Sequence, residues 1–280
     1  MPTVQSSQLE ATTLLAGLAM GESPRWHQDR LWLSDWGAQE IVSVDLAGRS
    51  EVVVRTSFAL PFCIDWLHNG SMLIVAGRDN RVLRRERDGS LVTHADLSSV
   101  SEQGWNEIVV DGHENVYVNG GPGIIALITP DGIVRQVADG IAFPNGMAVT
   151  PDNSTLIIAE SHGKKLTAFD IAQDGGLSGK RVWAGVDGPP DGICIDAEGA
   201  VWYADVPNKK CVRVREGGEI LRTIHLDRGC FSCALGGADK KALFIVANEW
   251  RGMDKVAEIA AARTGMVVTA EVDVPGAGWP

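Results

Sequence analysis

The sequence predicts an all-β protein, a six-bladed β-propeller, and three observations carry that prediction. A strand-like segment recurs as RLWLSDW, SMLIVAG, NVYVNGG, STLIIAES, AVWYADV and ALFIVANE. Its anchors are Leu31, Met72, Val116, Leu156, Val201 and Leu243, at successive spacings of 41, 44, 40, 45 and 42 residues. Each copy follows a polar turn (HQDR, HNG, GHEN, PDNS, AEG, GADKK) and precedes another alternating strand such as EIVSVDL, LTAFDI or VRVRE. Glycine is frequent, 32 of 280 residues, as a turn-rich β fold requires, because it supplies positive φ without a steric penalty.

Four short strands in each repeat of this length make a propeller blade. Alternation with period two places one face of each strand inward. Helical repeats of similar period are excluded by the density of Gly and β-branched residues and by the lack of a 3.6 periodicity. The one helix-like stretch is Lys255 to Ala262. Six blades then fill residues 1–280 as a single domain. A strand from about Glu10 to Leu15 is expected to complete the last blade, closing the ring so that no open sheet edge remains.

The formal net charge of −11 excludes nucleic acid and an anionic membrane surface as partners, since phosphate recognition needs a basic footprint. No window holds the roughly 18 apolar residues of a membrane span. Leu14 to Met20 is apolar but lacks a basic segment before it, so it does not read as a signal peptide. Five scattered cysteines, Cys63, Cys194, Cys211, Cys230 and Cys233, fit reduced thiols in a cytoplasmic protein. The Cys230/Cys233 CxxC has no second pair at zinc-ribbon spacing and reads as structural.

About ten residues before each anchor, the first strand of each blade begins: GESPRW, PFCIDW, WNEIVV, PNGMAV, PDGICI and FSCALG. First strands line the channel, so equivalent positions converge on one axis. Aligned, they give Glu22, Phe62, Asn106, Asn145, Asp191 and Ser232. Two carboxylates and two carboxamide oxygens form a hard, all-oxygen set suited to one divalent cation. Ca²⁺ comes first, with Mg²⁺, Mn²⁺ or Zn²⁺ as other occupants. PNG and PDG are also turn signatures, so any one of these residues alone reads as a turn as readily as a ligand. Four at one repeat position favour the ligand reading.

GESPRW, FPNGMAVTPDNSTLIIAES and PPDGICIDAEGAVWYAD resemble the signature segments of the gluconolactonase/regucalcin lactonases, each falling in its expected blade. The resemblance implies metal binding by Glu22, Asn145 and Asp191. It also implies Asp191 as general base or nucleophile in opening a small lactone or ester, and Asn106 beside the metal as a substrate contact. Two departures stand out. Sugar-lactone members similar to regucalcin place an Arg two residues before the blade-three Asn, where this chain has Gly104. They also carry a Glu later in that blade, where this chain reads VYVNGGPGII. In their place stand Phe62, Trp105, Phe143, Trp36 and Trp250, which point to a less polar substrate, with Asn119 a further candidate contact. His162, on a loop, reads as a surface residue. Two other readings share this ligand set: organophosphate hydrolysis, and a non-catalytic Ca²⁺-binding propeller.

Overall fold

A computed structural model describes residues 11–279. Their strands form six four-stranded antiparallel sheets, arranged as the blades of a propeller. The inner strands are Gly21–His27, Phe62–Trp66, Trp105–Val110, Pro144–Val149, Pro190–Ile195 and Gly229–Gly236. Every repeat anchor falls on the second strand of its blade, as in Arg30–Asp35 and Val116–Gly120. In blades three and five the hairpin between first and second strands closes through an aspartate. The Asp111 carboxylate accepts from the His113 and Asn115 N–H groups, and the Asp196 carboxylate from those of Glu198 and Ala200, which mimics a backbone turn. The helix-like stretch is a 3₁₀ turn, Met253–Lys255, followed by the α-helix Val256–Ala262.

Ring closure follows the expected route. Strand Thr12–Leu18 pairs with Gly265–Glu271 as the outer strand of blade six, while Glu10 lies outside the described residues. The crossing into blade one is pinned by Asp35, whose carboxylate accepts from the Ala19 and Met20 N–H groups at 2.9 and 2.8 Å.

The period-two pattern has a different meaning from the expected one of a single inward face. Second strands such as Met72–Ala76 and Val116–Gly120 are buried along their whole length, so both faces are apolar. Alternate residues instead serve alternate neighbours. Val116 and Val118 pack with blade-two residues such as Leu73 and Val82, whereas Tyr117 packs with blade-four residues such as Leu156 and Ile158. Each gap between adjacent blades holds one such core, which makes six in all. The stability of the ring therefore lies between sheets rather than within them.

The glycines of PNG and PDG are not in turns. Asn145-Gly146 and Asp191-Gly192 sit within inner strands. A Cβ on Gly146 would lie 2.5 Å from the Ile193 nitrogen, and one on Gly192 would lie 2.7 Å from the Ser232 Cα. Backbone atoms cannot yield to such contacts, so these glycines allow the inner strands of blades four, five and six to touch. Gly192→Ala is expected to cost about 2 kcal/mol, lowering the thermal midpoint by roughly 4 °C or more. An unchanged melting curve would show that the strands do not need this approach.

Candidate metal centre

The strand ladders define which residues share a level. In blade three, Trp105 pairs with Gly120 and Val110 with Val116, so six residues face five. The extra residue is a β-bulge, and equivalent register shifts occur in blades one, four, five and six. In each bulged strand the second of the six residues is Glu22, Asn106, Asn145, Asp191 or Phe231. Blade two has no bulge. Phe62 pairs there with Ala76 and matches the level of Trp105, Pro144 and Pro190, not that of the polar residues.

Two expectations are corrected by this register. Phe62 and Trp105 are both fully buried, in the cores between blades one and two and between blades two and three, and so offer no surface to a substrate. In blade six the residue level with Asp191 is Phe231, one position before Ser232. Ser232 falls instead beside Gly192. Phe231 belongs to an apolar cluster with Met20 and Val206, against which Trp36 and Trp250 pack. Asn119 is fully buried as well. Its Nδ2 donates to the Asn145 carbonyl at 2.6 Å, so it positions Asn145.

Three of the four polar residues, Asn106, Asn145 and Asp191, are linked from blade to blade, while the Glu22 carboxylate accepts from the Ser23 N–H. Asn106 Nδ2 donates to Asn145 Oδ1 at 3.4 Å and to the Pro144 carbonyl at 3.3 Å. Asn145 Nδ2 donates to Ser161 Oγ at 3.4 Å, and Ser161 Oγ in turn donates to the carbonyl of Pro190 at 2.7 Å, next to Asp191. Ser161 thus joins blades four and five just outside the amide and the carboxylate.

Sequence reading missed what lies below. Arg25 Nη2 donates to Glu107 at 3.1 Å and to the Ile108 carbonyl at 2.8 Å, and Arg25 Nε lies 4.0 Å from Asp65. All three side chains are buried. Their signal was present as charges inside otherwise apolar inner strands: Arg in GESPRW, Asp in PFCIDW and Glu in WNEIVV. Glu22, Asp65, Glu107 and Asp191 share a single guanidinium, and Arg25 is held against Glu107 and Asp65. Glu22 and Asp191 are left without a cationic partner.

The titration of the group reflects that imbalance. Burial pushes the Glu22 carboxyl well above the ordinary carboxylate range. The charges of Asp191 and then Glu107 push it further, while the Ser23 N–H and Arg25 pull it back. Asp191 is likewise raised, first by burial and then by Glu107, against a hydrogen bond from Asn145. Burial also lifts Asp65, to about 6, despite Arg25. A divalent cation between Glu22 and Asp191 would remove this repulsion. No three of the residues His, Cys, Asp and Glu cluster as a metal site among the described residues. The fit rests instead on two carboxylates with carboxamide oxygens, an oxygen-only set of the kind that hard cations take.

A separate cavity lies elsewhere. A space of about 320 Å³ sits at the opposite ends of the inner strands, lined by Arg25, Asp65, Trp66, Ile195 and Trp279. The C-terminal segment runs along that end, with Trp279 pairing with Val149 and Gly276 with Asp196.

Against this geometry, residues 20–249 match the SMP-30/Gluconolactonase/LRE-like region. The chain belongs to that family. It is 32% identical to regucalcin of Danio rerio over 133 residues, 45% of each chain, so it spans about half the length of that relative. It is 26% identical to the pentonolactonase XacC of Haloferax volcanii over 241 residues, 81% of this chain and 80% of that one. With the diisopropyl-fluorophosphatase of Loligo vulgaris it shares 26% identity over 182 residues, 55% of this chain and 58% of that one. The solved luciferin-regenerating enzyme superposes with a TM-score of 0.82 at 18% identity, covering 96% of this chain and 98% of that one, a likeness of fold.

The raised carboxyls predict how stability depends on pH. They hold their protons to higher pH folded than unfolded, so the native state binds more protons, and stability falls as pH rises through that window. For Asp65 the window runs from the ordinary value of 3.8 to about 6. In chelator, the urea midpoint should therefore fall between pH 5 and pH 7. Ca²⁺ should restore it at pH 7. Glu22→Gln should stabilise the chelated protein by on the order of 1 kcal/mol and abolish most of the response to Ca²⁺. A chelated protein equally stable at both pH values would contradict the charge imbalance.

Proposed function

We propose that this member of a lactonase family is a divalent-metal-dependent hydrolase that opens a small lactone, acting as a single-domain propeller. One observation carries the reading most directly. Glu22 and Asp191 are recessed together without a cationic partner, beside the amides of Asn106 and Asn145, in a chain whose relatives include a pentonolactonase. In this reading Glu22, Asn145 and Asp191 hold one cation, Ca²⁺ by preference for an oxygen-only set. When bound, the cation supplies Lewis-acid polarisation of the carbonyl.

The protein's own groups do the rest. Asn106, linked to Asn145, presents its amide to the substrate and fixes the lactone beside Asp191. Asp191 either takes the proton of the attacking water or attacks the carbonyl carbon itself. Two features restrain it: the Asn145 hydrogen bond, and the Pro190 carbonyl held by Ser161. Water release from a largely apolar mouth strengthens each of these polar contacts. The five cysteines are all free and buried, consistent with a cytoplasmic location.

A lactone panel assayed with and without chelator, on wild type and Asp191→Asn, tests the proposal. Chelation should abolish turnover and be reversed by Ca²⁺, and Asp191→Asn should lower kcat by about 10²–10⁴. Turnover indifferent to chelator removes the metal, and turnover that persists in Asp191→Asn removes the catalytic role. A second reading is supported by the likeness to diisopropyl-fluorophosphatase: the same ligand set acting on a phosphorus ester. Hydrolysis of such an ester in preference to every lactone would favour it. Ca²⁺ binding with neither activity would indicate a binding propeller.

A further inference from the structure

Phe143 stands two residues before Asn145, just outside the strand Pro144–Val149, and 53% of its surface is exposed. Its φ is +60°, in the left-handed region that bulky L-residues avoid. The chain is held there from both sides. The Ser161 N–H donates to the Phe143 carbonyl and the His162 N–H to that of Ala142, both at 3.1 Å, while the Ala142 N–H donates to Glu160 Oε2 at 2.9 Å. The ring stacks on the exposed imidazole of His162 with centroids 4.5 Å apart.

Packing does not account for this ring. Phe143 belongs to none of the apolar clusters between the blades, and a phenylalanine needed for stability would be buried in one of them. Instead, a disfavoured backbone conformation holds an aromatic face in solvent. Observed strain of this kind, fixed by its surroundings, marks a functional position. The location is specific too. His162 follows Ser161, the residue hydrogen-bonded to Asn145 and to the Pro190 carbonyl, and Phe143 stands two residues before Asn145, so both aromatic residues adjoin groups of the candidate centre. The blade-six residue level with Asp191 is Phe231, which clusters with Met20 and Val206. Phe231 itself is buried, but the half-buried Trp36 and Trp250 pack against its cluster, so the aromatic surface of the rim is theirs together with that of Phe143 and His162.

We propose that Phe143 and His162 form a recognition platform at the rim that receives an apolar substituent of the substrate, making the substrate class lactones with a hydrophobic substituent rather than bare polyhydroxylated rings. The platform rests on the hydrolase reading for its substrate but not for its existence. Stacking of an apolar group on these rings removes exposed hydrocarbon from water and uses a face already ordered by the backbone.

Phe143→Gly separates recognition from structure, because glycine adopts this φ freely and the variant should melt no lower than wild type. With Ca²⁺ present, the ratio of kcat/KM for γ-phenyl-γ-butyrolactone to that for γ-butyrolactone should fall about tenfold, mostly through KM. His162→Ala should shift the ratio in the same direction by less. An unchanged ratio in the folded glycine variant overturns the platform, as does a lowered melting temperature with the ratio intact, which would mark Phe143 as a packing residue. A wild type that opens neither lactone overturns the hydrolase reading instead. Calorimetric binding of the phenyl-substituted lactone to Asp191→Asn then decides the platform by itself: roughly tenfold weaker binding when Phe143→Gly is added supports it, and equal affinity overturns it.

Discussion

The close approach of the inner strands around the axis is the constraint on which the rest depends. Blades meet through six apolar cores, and at their inner edges the backbones of blades four, five and six come into contact at Gly146, Gly192 and Ser232. On the other side of the ring the same level is held by polar links. Ser23 Oγ accepts from the Ile64 N–H at 3.0 Å, and Glu107, level with the glycines, is bound by Arg25. A tight ring leaves no room for a full hydration shell around side chains that face the axis. Any carboxylate placed there is therefore desolvated by the same packing that stabilises the fold.

That desolvation turns a structural ring into a chemical site. Glu22 and Asp191 would be ordinary acids on a surface. Recessed together they resist ionisation, and the only guanidinium among these groups is engaged by Glu107 and Asp65. Arg25 has two effects at once. It offsets one of the two lower carboxylates, Glu107 and Asp65, and by being engaged there it leaves Glu22 and Asp191 without a counter-charge of their own, with Glu107 adding to their repulsion. A charge surplus with rigid neutral oxygens beside it selects a divalent cation over a monovalent one by the Coulomb energy at stake.

Much of this was legible in the sequence, and the failures have two causes. Repeat spacing located all six blades, because second strands such as Met72–Ala76, Val116–Gly120 and Val201–Asp205 are buried along their whole length and so carry the longest apolar runs. The ligand-level residues were legible in blades one, three, four and five, where the same bulge recurs. Spacing alone puts Phe62 and Ser232 at that level, because it does not show whether a strand carries an extra residue. The Arg25–Glu107–Asp65 group was hidden for another reason. A charge inside an apolar run looks like a solvent-facing residue of an amphipathic strand, and only the ring geometry shows that its outward side is the channel.

The bulges also explain why the centre has an apolar side. A bulge lets a residue leave the ladder and turn toward the axis at the cost of one unpaired position. Blade two forgoes it. Its ladder runs unbroken from Phe62–Ala76 to Trp66–Met72, and Phe62 takes the packing role that Trp105 has in blade three. Blade six keeps the bulge but fills the position with Phe231. Polar groups therefore reach this level from four blades, three of them consecutive, while the two blades that flank blade one supply none. Phe231 is itself buried; the half-buried Trp36 and Trp250 that pack on its cluster, and Phe143 stacked on His162 beside Asn145, place aromatic surface around the oxygen donors. In the proposed reading, the placement of bulges that decides how many polar groups could hold a cation also decides the polarity of what the mouth admits.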